Sequence, residues 1–309
     1  MDRYSRQVIF PGIGQAGQQR LAESCAVIIG CGALGSIIAS TLVRAGVGRV
    51  RIVDRDFIEE HNLQRQLLFT EDDIKEGLPK AVAAERRLRR INSSIEIEGI
   101  VADANFTNIE RFVDGADVIM DGLDNFEARF LINDVSLKHG IPWVYGAAIA
   151  STGMTATIIP GKTPCFRCIS ASAPGGGVTD TCDTAGVIGP APFVVGSLQS
   201  AAALKLLVGA ADSTQYLTTI DVWQGDFQRL KTGYRPGCPA CHGTYEFLEG
   251  KHGLKTTALC GQNVVQVLNT GDVKISLDKL AERLAPVTTV THNEHMLRFP
   301  VEGDREMIV

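Results

Sequence analysis

The stretch Val27–Gly35, which reads VIIGCGALG, constrains the fold of this chain more than any other feature. It runs from an apolar segment into a glycine loop, and a helical pattern over Ser36–Ala45 and a second apolar segment, Val50–Val53, follow before Asp54. This order of strand, glycine loop, helix, strand and acid is typical of a nucleotide-binding βαβ unit. We therefore expect the loop to hold a phosphate at the helix N-terminus and Asp54 to bind ribose hydroxyls.

Length and composition limit the class of protein. The chain has 309 residues, of which 45% are hydrophobic and 21% charged, and this suits one large α/β domain with a smaller appendage. A net charge of -5 argues against a nucleic-acid partner. We find no apolar run of membrane-spanning length and no signal-peptide core near the start, and we therefore expect a cytoplasmic protein with no membrane partner.

The segment after Asp54 alternates between helical and strand patterns. Proline is tolerated in the first helical turn, so Pro79 and Lys80 predict the start of a helix that runs to Arg90. The next predicted elements are strands over 95–101, 116–121 and 142–146 and a helix over 127–138. We predict a Rossmann-like, doubly wound, mostly parallel α/β sheet, in which Gly30, Asp54 and Asp124 follow strand ends and line one crevice.

Beyond Thr152 the pattern changes to strands and glycine-rich loops, which extend the sheet. A nearly uncharged helix over 194–208 is predicted to be buried in the core or in a subunit interface. Further strands are predicted at Val222-Trp223 and over 227–230. We assign residues 1–245 to one domain.

Residues 246–309 are predicted to form a small α+β module, with a helix over 277–284 and strands near the C-terminus. The segment 263–268 fits a helix or a strand, and we interpret His292 and His295 as part of a surface turn. Because the chain stops on an apolar strand pattern, we expect the natural protein to continue beyond Val309.

Two CxxC pairs carry the clearest metal signal. Four thiolates complete a tetrahedral zinc site with no open position, which indicates a structural role. The proposed ligands are Cys165, Cys168, Cys238 and Cys241. A redox CxxC and unpaired buried cysteines remain the alternatives. Eight cysteines in a chain of this length do not resemble a secreted disulfide scaffold.

The polar residues after the glycine loop distinguish between nucleotides. A nicotinamide enzyme needs a residue that handles hydride, whereas cations, amides and a carboxylate at a strand end suit ATP with Mg²⁺. This polar set comprises Asn62, Arg65, Gln66, Lys80 and Asp124. It favours ATP attacked at a phosphorus atom, and an NAD-dependent oxidoreductase remains the rival enzyme.

The ordered motifs of residues 1–245 resemble those of the ThiF/MoeB/HesA family, bacterial relatives of ubiquitin-activating enzymes. The motifs are RYSRQ, GCGALG, Asp54 with Asp56, HNLQRQ, Pro79-Lys80, the turn 121–125, and the two CxxC pairs flanking Cys182. The resemblance implies a homodimer that binds Mg·ATP and adenylates the C-terminal Gly-Gly carboxylate of a small ubiquitin-like sulfur carrier, releasing pyrophosphate. The carrier would serve thiamine or molybdopterin synthesis, and a cysteine desulfurase or another sulfur donor is a further partner.

Roles then follow from the resemblance, position by position. Gly30, Gly32, Ala33 and Gly35 would lie along the phosphates, and Asp54 would bind the ribose. The phosphates would be held by Asn62, Arg65 and Lys80. Asp124 would hold the metal, with Asn125 beside it. His61 stands where the family pattern predicts a small polar residue.

Two residues have roles that only the resemblance suggests. Arg6 would reach into the partner subunit's site. Cys182 would bond to the carrier or to its sulfur, and the flanking glycines 175–177 suit a mobile loop; even so, adenylation itself needs no protein nucleophile. The C-terminal module lacks the cysteine loop of a rhodanese, and its Cys260 is interpreted as a buried structural cysteine. An ATP-binding scaffold without activity is the non-enzyme alternative.

Overall fold

Eight strands form one sheet in the computed structural model, and three short strands form a second. The structure describes residues 3–171, 182–210, 215–252, 276–294, 296–301 and 305–308. The strands are β1 (Cys25–Ile29), β2 (Arg49–Val53), β3 (Glu96–Ile100), β4 (Val118–Asp121), β5 (Trp143–Ile149), β6 (Thr152–Ile158), β7 (Tyr216–Asp221), β8 (Asp226–Lys231), β9 (Thr291–His292), β10 (Leu297–Val301) and β11 (Arg305–Ile308).

Helices connect most of these strands, and 3-10 turns occur at Glu60–Asn62 and Ala240–His242. The helices are α1 (Ser5–Ile9), α2 (Gly14–Glu23), α3 (Ala33–Ala45), α4 (Glu71–Lys75), α5 (Lys80–Ile91), α6 (Ile109–Val113), α7 (Phe126–His139), α8 (Phe166–Ile169), α9 (Cys182–Ala185), α10 (Pro190–Leu207) and α11 (Leu277–Leu284). Among the residues so described, no helix is both long and apolar enough to span a lipid bilayer.

The order of the large sheet is β3-β2-β1-β4-β5-β6-β7-β8. The first five strands in this order, β3-β2-β1-β4-β5, are parallel to one another, whereas β6, β7 and β8 add an antiparallel extension that begins at β5. The strand order reverses between β1 and β4, and such switch points leave a crevice at the carboxyl ends of the strands. The predicted α/β architecture, with its added strands, is therefore confirmed.

Both faces of the parallel strands are covered. In β1, Ala26 and Ile28 face one apolar core with Ile38 of α3, while Val27 and Ile29 face a second core. Side chains along a strand alternate between faces, so a strand with cores on both sides must be apolar throughout. This explains the uninterrupted apolar run that precedes the glycine loop.

The predicted limits of several elements needed correction. Val222-Trp223 does not form a strand: it lies in the turn between β7 and β8, because Asp221 accepts the Trp223 N–H at 2.9 Å and closes that turn. Helix α10 begins four residues before the predicted position, with Pro190 in its first turn. Val194 of this helix is 38% exposed, so its apolar surface is only partly covered.

The C-terminal module contains the predicted helix as α11 and a three-stranded antiparallel sheet, β11-β10-β9. Several predictions concern residues outside the described ranges: the glycines 175–177, Cys260, the segment 263–268 and His295. The division at residue 245 stays a prediction. A contact crosses this division: Phe247 of the C-terminal segment stacks on Phe130 of α7, with ring centroids 4.8 Å apart.

Candidate functional site

A cavity of about 530 Å³ opens at the carboxyl ends of β1, β2 and β4. It brings together ten of the eleven residues that the sequence assigned to nucleotide binding. These are Gly30, Gly32, Ala33, Asp54, Asn62, Arg65, Gln66, Lys80, Asp124 and Asn125. Gly35 is not among the lining residues. The predicted crevice at the strand ends is therefore present in the structure, whereas the residue roles within it stay predictions.

The glycines of the loop serve different steric needs. Gly30 has a φ of +90°, a conformation that residues with side chains rarely adopt. A Cβ on Gly35 would collide with the carbonyl of Gly30, so Gly35 allows α3 to pack against the loop. At Gly32 a Cβ would meet no atom closer than 3.7 Å, so packing within the protein does not require this glycine. A glycine at position 32 would instead allow a ligand to approach the backbone closely.

Asp54 is almost fully buried behind the glycine loop. Its two carboxylate oxygens accept the backbone N–H of Cys31 at 2.6 Å and that of Asp56 at 2.7 Å. Burial raises the pKa of Asp54 to about 6, against the opposing effect of the nearby Lys80 ammonium. The carboxylate therefore fixes the loop, and its remaining lone pairs are available for hydroxyl donors.

Lys80 is buried at the start of α5 and donates to Asp56 Oδ2 at 3.0 Å. Its backbone N–H donates to the Asp56 carbonyl at 2.8 Å. Burial opposes the charged form, but the carboxylates of Asp54, Asp56 and Asp124 prevail and hold the pKa of Lys80 above its ordinary value. The sequence placed Asp56 in a motif without a role, and the structure shows it as the partner of Lys80.

The segment between β2 and α4 presents amides and a guanidinium to the cavity. Asn62 is buried, and its Oδ1 accepts the Glu59 N–H at 3.1 Å, which fixes the 3-10 turn. Arg65 donates to the His61 carbonyl at 2.8 Å. Gln66 is 4% exposed, and its Oε1 has no hydrogen-bond partner in the structure. A buried acceptor without a partner is costly, and a ligand donor in the cavity would satisfy it.

A buried ion pair lies beneath the turn that carries Asp124. Arg129 Nε donates to Asp121 Oδ2 at 2.9 Å, and its NH2 group donates to the Leu123 carbonyl at 2.7 Å. Gln199 of α10 donates to the Asp121 carbonyl at 2.8 Å. No role was predicted for Arg129, although an arginine within a buried helix is a signal that it needs a partner.

The same turn leaves Asp124 exposed at the edge of the cavity, while the side chain of Asn125 accepts the Ala128 N–H at 2.9 Å. Asn125 is therefore the N-cap of α7. Next to it, an apolar wall offers contact area for a flat base. This wall includes Ala102, Ala104, Leu123 and Phe126.

Arg6 lies elsewhere. It is exposed on α1, which is fixed by Tyr4: a Cβ on Gly46 would collide with the Tyr4 ring, and Asn92 Nδ2 donates to the Tyr4 hydroxyl at 2.9 Å. Gly46 caps the C-terminus of α3, whereas the glycine loop lies at its N-terminus. Since a 13-residue helix is about 20 Å long, Arg6 lies far from the cavity of its own chain.

The four predicted metal ligands form one cluster. Their Sγ atoms all lie within 4.8 Å of one another, and four of the six separations are 3.4 to 3.8 Å. With zinc–sulfur bonds of about 2.3 Å, a tetrahedral site requires sulfur separations of about 3.8 Å. The donor set and its spacing fit zinc. The ligands are Cys165, Cys168, Cys238 and Cys241.

Cys182 begins α9, and the structure describes its backbone but not its side chain. Its proposed chemistry therefore stays a prediction. The nearby segment joins the main sheet: Ala150 N donates to the Gly186 carbonyl at 2.9 Å, and Ile188 N donates to the Ala150 carbonyl at 3.0 Å. Val187 also lines the cavity. The backbone that follows Cys182 thus leads to the candidate site.

The model of the ThiF family matches residues 4–240. The chain belongs to the ThiF family. It is 46% identical over 286 residues to the sulfur carrier protein ThiS adenylyltransferase of Bacillus subtilis. This match covers 91% of this chain and 84% of that protein. It is 38% identical over 242 residues to the SAMP-activating enzyme E1 of Haloferax volcanii, covering 78% and 88%. A match to 91% of the chain must extend past residue 245 into the C-terminal module.

Solved structures agree on the fold. Escherichia coli MccB in complex with ATP superposes with a TM-score of 0.69 at 25% identity, over 78% of this chain and 75% of that one. MccB in complex with N-formylated MccA gives the same TM-score and identity, and the same coverage of both chains. The predicted family and fold are both confirmed.

Proposed function

We propose that this ThiF-family chain is an ATP-dependent adenylyltransferase that activates the C-terminal Gly-Gly carboxylate of a small ubiquitin-like sulfur-carrier protein. The observation that carries the proposal is one cavity at the strand switch point that combines the glycine loop, Arg65, Lys80 and Asp124. The names of the Bacillus and Haloferax relatives support this reaction class. The carrier would serve thiamine or molybdopterin synthesis, and the cytoplasm is the proposed location because thiolates stay reduced there.

Each part of the cavity has a proposed part of ATP to bind. The apolar wall takes the base, and Asp54 accepts hydrogen bonds from the ribose hydroxyls. The glycine loop and the N-terminus of α3 face the phosphates, where Asn62, Arg65 and Lys80 donate hydrogen bonds. The unpartnered Oε1 of Gln66 accepts a hydrogen bond from a donor group of the nucleotide. Asp124 would hold Mg²⁺, since its carboxylate is exposed at the cavity edge, and Asn125 supports it by capping α7.

The proposed reaction joins a carboxylate oxygen of the carrier to the α-phosphorus of ATP. The bond from that phosphorus to the bridging oxygen breaks, and pyrophosphate leaves with the electron pair. Negative charge shifts to the leaving group, where Arg65 and Lys80 stabilise it. No protein nucleophile or proton donor is required, so catalysis consists of positioning and charge stabilisation.

An open sheet face gives the carrier tail a proposed route to the cavity. Cross-strand pairing places Ala147, Met154, Thr219 and Gln228 in one row across β5 to β8. Side chains of such a row share one face. Ala147 and Met154 line the cavity, and Leu230 lies on the same face of β8 and is 48% exposed. A tail of two glycines needs little width to pass along this row.

We further propose a homodimer in which Arg6 completes the partner's site. Arg6 is exposed and is held about one length of α3 from its own glycine loop, so a second subunit is the arrangement that would use it. Exposed apolar side chains near Arg6 and on α10 offer area for such a contact. They are Ile9 and Phe10, at the end of α1, and Val194 of α10. The four-cysteine cluster is proposed as a structural zinc site in each subunit.

Carrier-dependent exchange of pyrophosphate into ATP tests the proposal. A candidate carrier ending in Gly-Gly should support exchange, and the same carrier without its last glycine is the matched control. Asp124→Asn should abolish exchange while leaving the fold intact. If NAD rather than ATP protects the protein against heat, the rival oxidoreductase is favoured. If ATP binds but no Gly-Gly carrier supports exchange, the scaffold alternative is favoured.

The proposed role of Cys182 requires a separate test. Its thiolate would attack the carbonyl carbon of the acyl-adenylate, form a thioester and release AMP. In the alternative, a cysteine desulfurase supplies the outer sulfur of a carrier-bound persulfide; the Cys182 thiolate would attack the inner sulfur, form a disulfide with the carrier and release the outer sulfur as hydrosulfide. Cys182→Ser should then keep carrier-dependent exchange but lose sulfur transfer and any thiol-sensitive adduct. Unchanged sulfur transfer would leave the protein an activating enzyme only.

A further inference from the structure

The C-terminal module contacts the turn between α4 and α5. Asn293 Nδ2 donates to the carbonyls of Glu76 and Gly77, at 3.1 and 3.2 Å. Gly77 has a φ of +63°, and a Cβ there would lie 3.3 Å from the methyl carbon of Met296. Glu294 adds an ion-pair contact with Arg86 of α5 at 3.8 Å. The module therefore holds the backbone of this turn by direct hydrogen bonds.

Asn293 is itself fixed in position. Its Oδ1 accepts the Met296 N–H at 2.9 Å, and its own N–H donates to the Met296 carbonyl at 2.9 Å. Met296 and Leu297 are buried, with 6% and 0% exposure. The side-chain oxygen of Asn293 thus accepts a hydrogen bond within the module, while its nitrogen donates to the turn. A side chain so constrained loses little further entropy when it holds its partner.

The turn that Asn293 holds continues directly into the cavity. Leu78, Pro79 and Lys80 are three consecutive buried residues. Pro79 pairs with Phe57 in an isolated β-bridge, and Lys80 bonds to Asp56 through both its backbone and its side chain. Because Lys80 lies only three positions after Gly77, a displacement of the Gly77 backbone would also move Lys80.

A second cavity lies on the other side of the same contact. It has a volume of about 630 Å³, and its walls come from the 57–61 segment, the 74–77 turn and the C-terminal module. His61 and Glu59 line both this cavity and the nucleotide cavity. This space separates the module from the 57–61 segment, so among the described residues the hydrogen bonds to Glu76 and Gly77 are a direct connection from the module towards the phosphate-binding residues.

We infer that Asn293 is a positioning residue through which the C-terminal module holds Lys80 in place for ATP. The inference rests on the proposed function, because it gives the module a part in nucleotide binding. It assigns the module neither sulfur chemistry nor contact with the carrier. The Asn293 amide donates two hydrogen bonds to the turn, and a typical net hydrogen-bond contribution corresponds to an effect of about three- to tenfold. We expect an effect of that size on ATP affinity.

Asn293→Asp in the full-length protein separates the two functions of this side chain. The aspartate keeps the acceptor for Met296 but loses the donor to Glu76 and Gly77. The Mg·ATP dissociation constant, measured by calorimetry without a carrier, should rise about three- to tenfold. Val287→Ala is the matched control, since Val287 is 79% exposed in the same module. Its dissociation constant should equal that of the wild type.

Amide hydrogen exchange supplies the independent readout. The Leu78 and Lys80 amides donate to Asp73 and Asp56, so they report opening of the turn. In Asn293→Asp they should exchange about three- to tenfold faster, while the Gly30 amide, which donates to the Val53 carbonyl, keeps its rate. Unchanged exchange at Leu78 and Lys80 would overturn the inference, as would faster exchange with unchanged ATP affinity. Wild-type protein that fails to bind ATP would refute the proposed function instead, and exchange would still decide whether Asn293 holds the turn.

Discussion

Lys80 Nζ lies 3.0 Å from Asp56 Oδ2 in a cavity that also contains the carboxylates of Asp54 and Asp124. One ammonium therefore faces three carboxylates before any phosphate enters. Asp56 holds the lysine at the cavity wall, and the phosphates of ATP would compete with it for the ammonium protons. This arrangement keeps a buried cation charged and places it where negative charge would develop.

Replacing each partner of this pair should have unequal effects. Lys80→Met removes the cation and leaves three carboxylates facing the phosphates, so carrier-dependent pyrophosphate exchange should fall by about 10²–10³. Asp56→Asn keeps a hydrogen-bond acceptor of the same length, and the loss should stay below about tenfold. Equal losses in the two variants would show that the ion pair, rather than the cation, is what the reaction needs.

The Asp121–Arg129 pair should be more important for stability than for nucleotide contact. Arg129→Met leaves a buried carboxylate without its cation, and this typically costs about 3–5 kcal/mol. Asp121→Asn combined with Arg129→Met removes both charges and should recover a substantial part of the loss. Urea unfolding of the zinc-loaded proteins measures both values. A double variant no more stable than Arg129→Met would contradict this explanation.

Zinc removal should destabilise the fold more than any change in the cavity. Cys238→Ser takes away one of four thiolates, and structural zinc sites contribute on the order of 10 kcal/mol. We expect less than one zinc per subunit and a large fall in the thermal midpoint. Cys25→Ser is the matched control, because Cys25 is buried in β1 outside the cluster. Metal analysis and thermal unfolding of the two variants test this, and full zinc occupancy in Cys238→Ser would exclude the four-thiolate site.

ATP affinity should weaken as the pH falls through about 6. The folded pKa of Asp54 is about 6, above its unfolded value, because the carboxylate is buried. Protonation is thus favoured by folding, so Asp54 adds stability as the pH falls below 6, and the weaker binding would not reflect unfolding. What is lost is a hydrogen-bond acceptor for the ribose and for the loop N–H groups.

Calorimetry from about pH 7.5 to about pH 5 measures this effect. Phosphate groups also titrate near pH 6, so Asp54→Asn should keep only the part of the profile that belongs to the nucleotide. Asp134→Asn is the second control. Burial also raises the pKa of Asp134 to about 6, but this carboxylate accepts the Phe247 N–H and does not line the cavity. Its profile should match the wild type.

Subunit mixing tests the placement of Arg6. Arg6→Ala and Arg65→Ala homodimers should each lose about 10²–10³ in rate, the usual cost of one charge-stabilising donor. Mixed dimers should regain activity, because both lesions can fall in one of the two sites and leave the other complete. With subunit exchange confirmed, the absence of recovery would place Arg6 in its own subunit's site or outside the reaction.

Local sequence patterns predicted the glycine loop and the strand ends because their signals lie within a few residues. Gly30, Asp54 and Asp124 follow apolar strands, and parallel strands must bring such positions to one edge. The two CxxC pairs were equally readable, since four thiolates have one common use at that spacing.

Contacts between distant segments could not be read in this way. The Asp56–Lys80 and Asp121–Arg129 pairs depend on how strands and helices pack. The local sequence around each residue does not indicate which residue is its partner. Asn293 contacts Gly77, which lies 216 positions earlier, and no periodicity encodes such a contact. The β7–β8 turn was misjudged because Val222 and Trp223 have strong strand preferences that a local Asp221 hydrogen bond overrides.

The four-cysteine cluster has a topological consequence for the chain. Cys165 and Cys238 are 73 positions apart in sequence, yet their sulfurs are 3.6 Å apart. With metal bound, the backbone between the two CxxC pairs becomes a closed ring that contains α10 and the β7–β8 hairpin. A single cut anywhere in that ring would leave both fragments tethered through the ion, so the enzyme could be nicked there without coming apart.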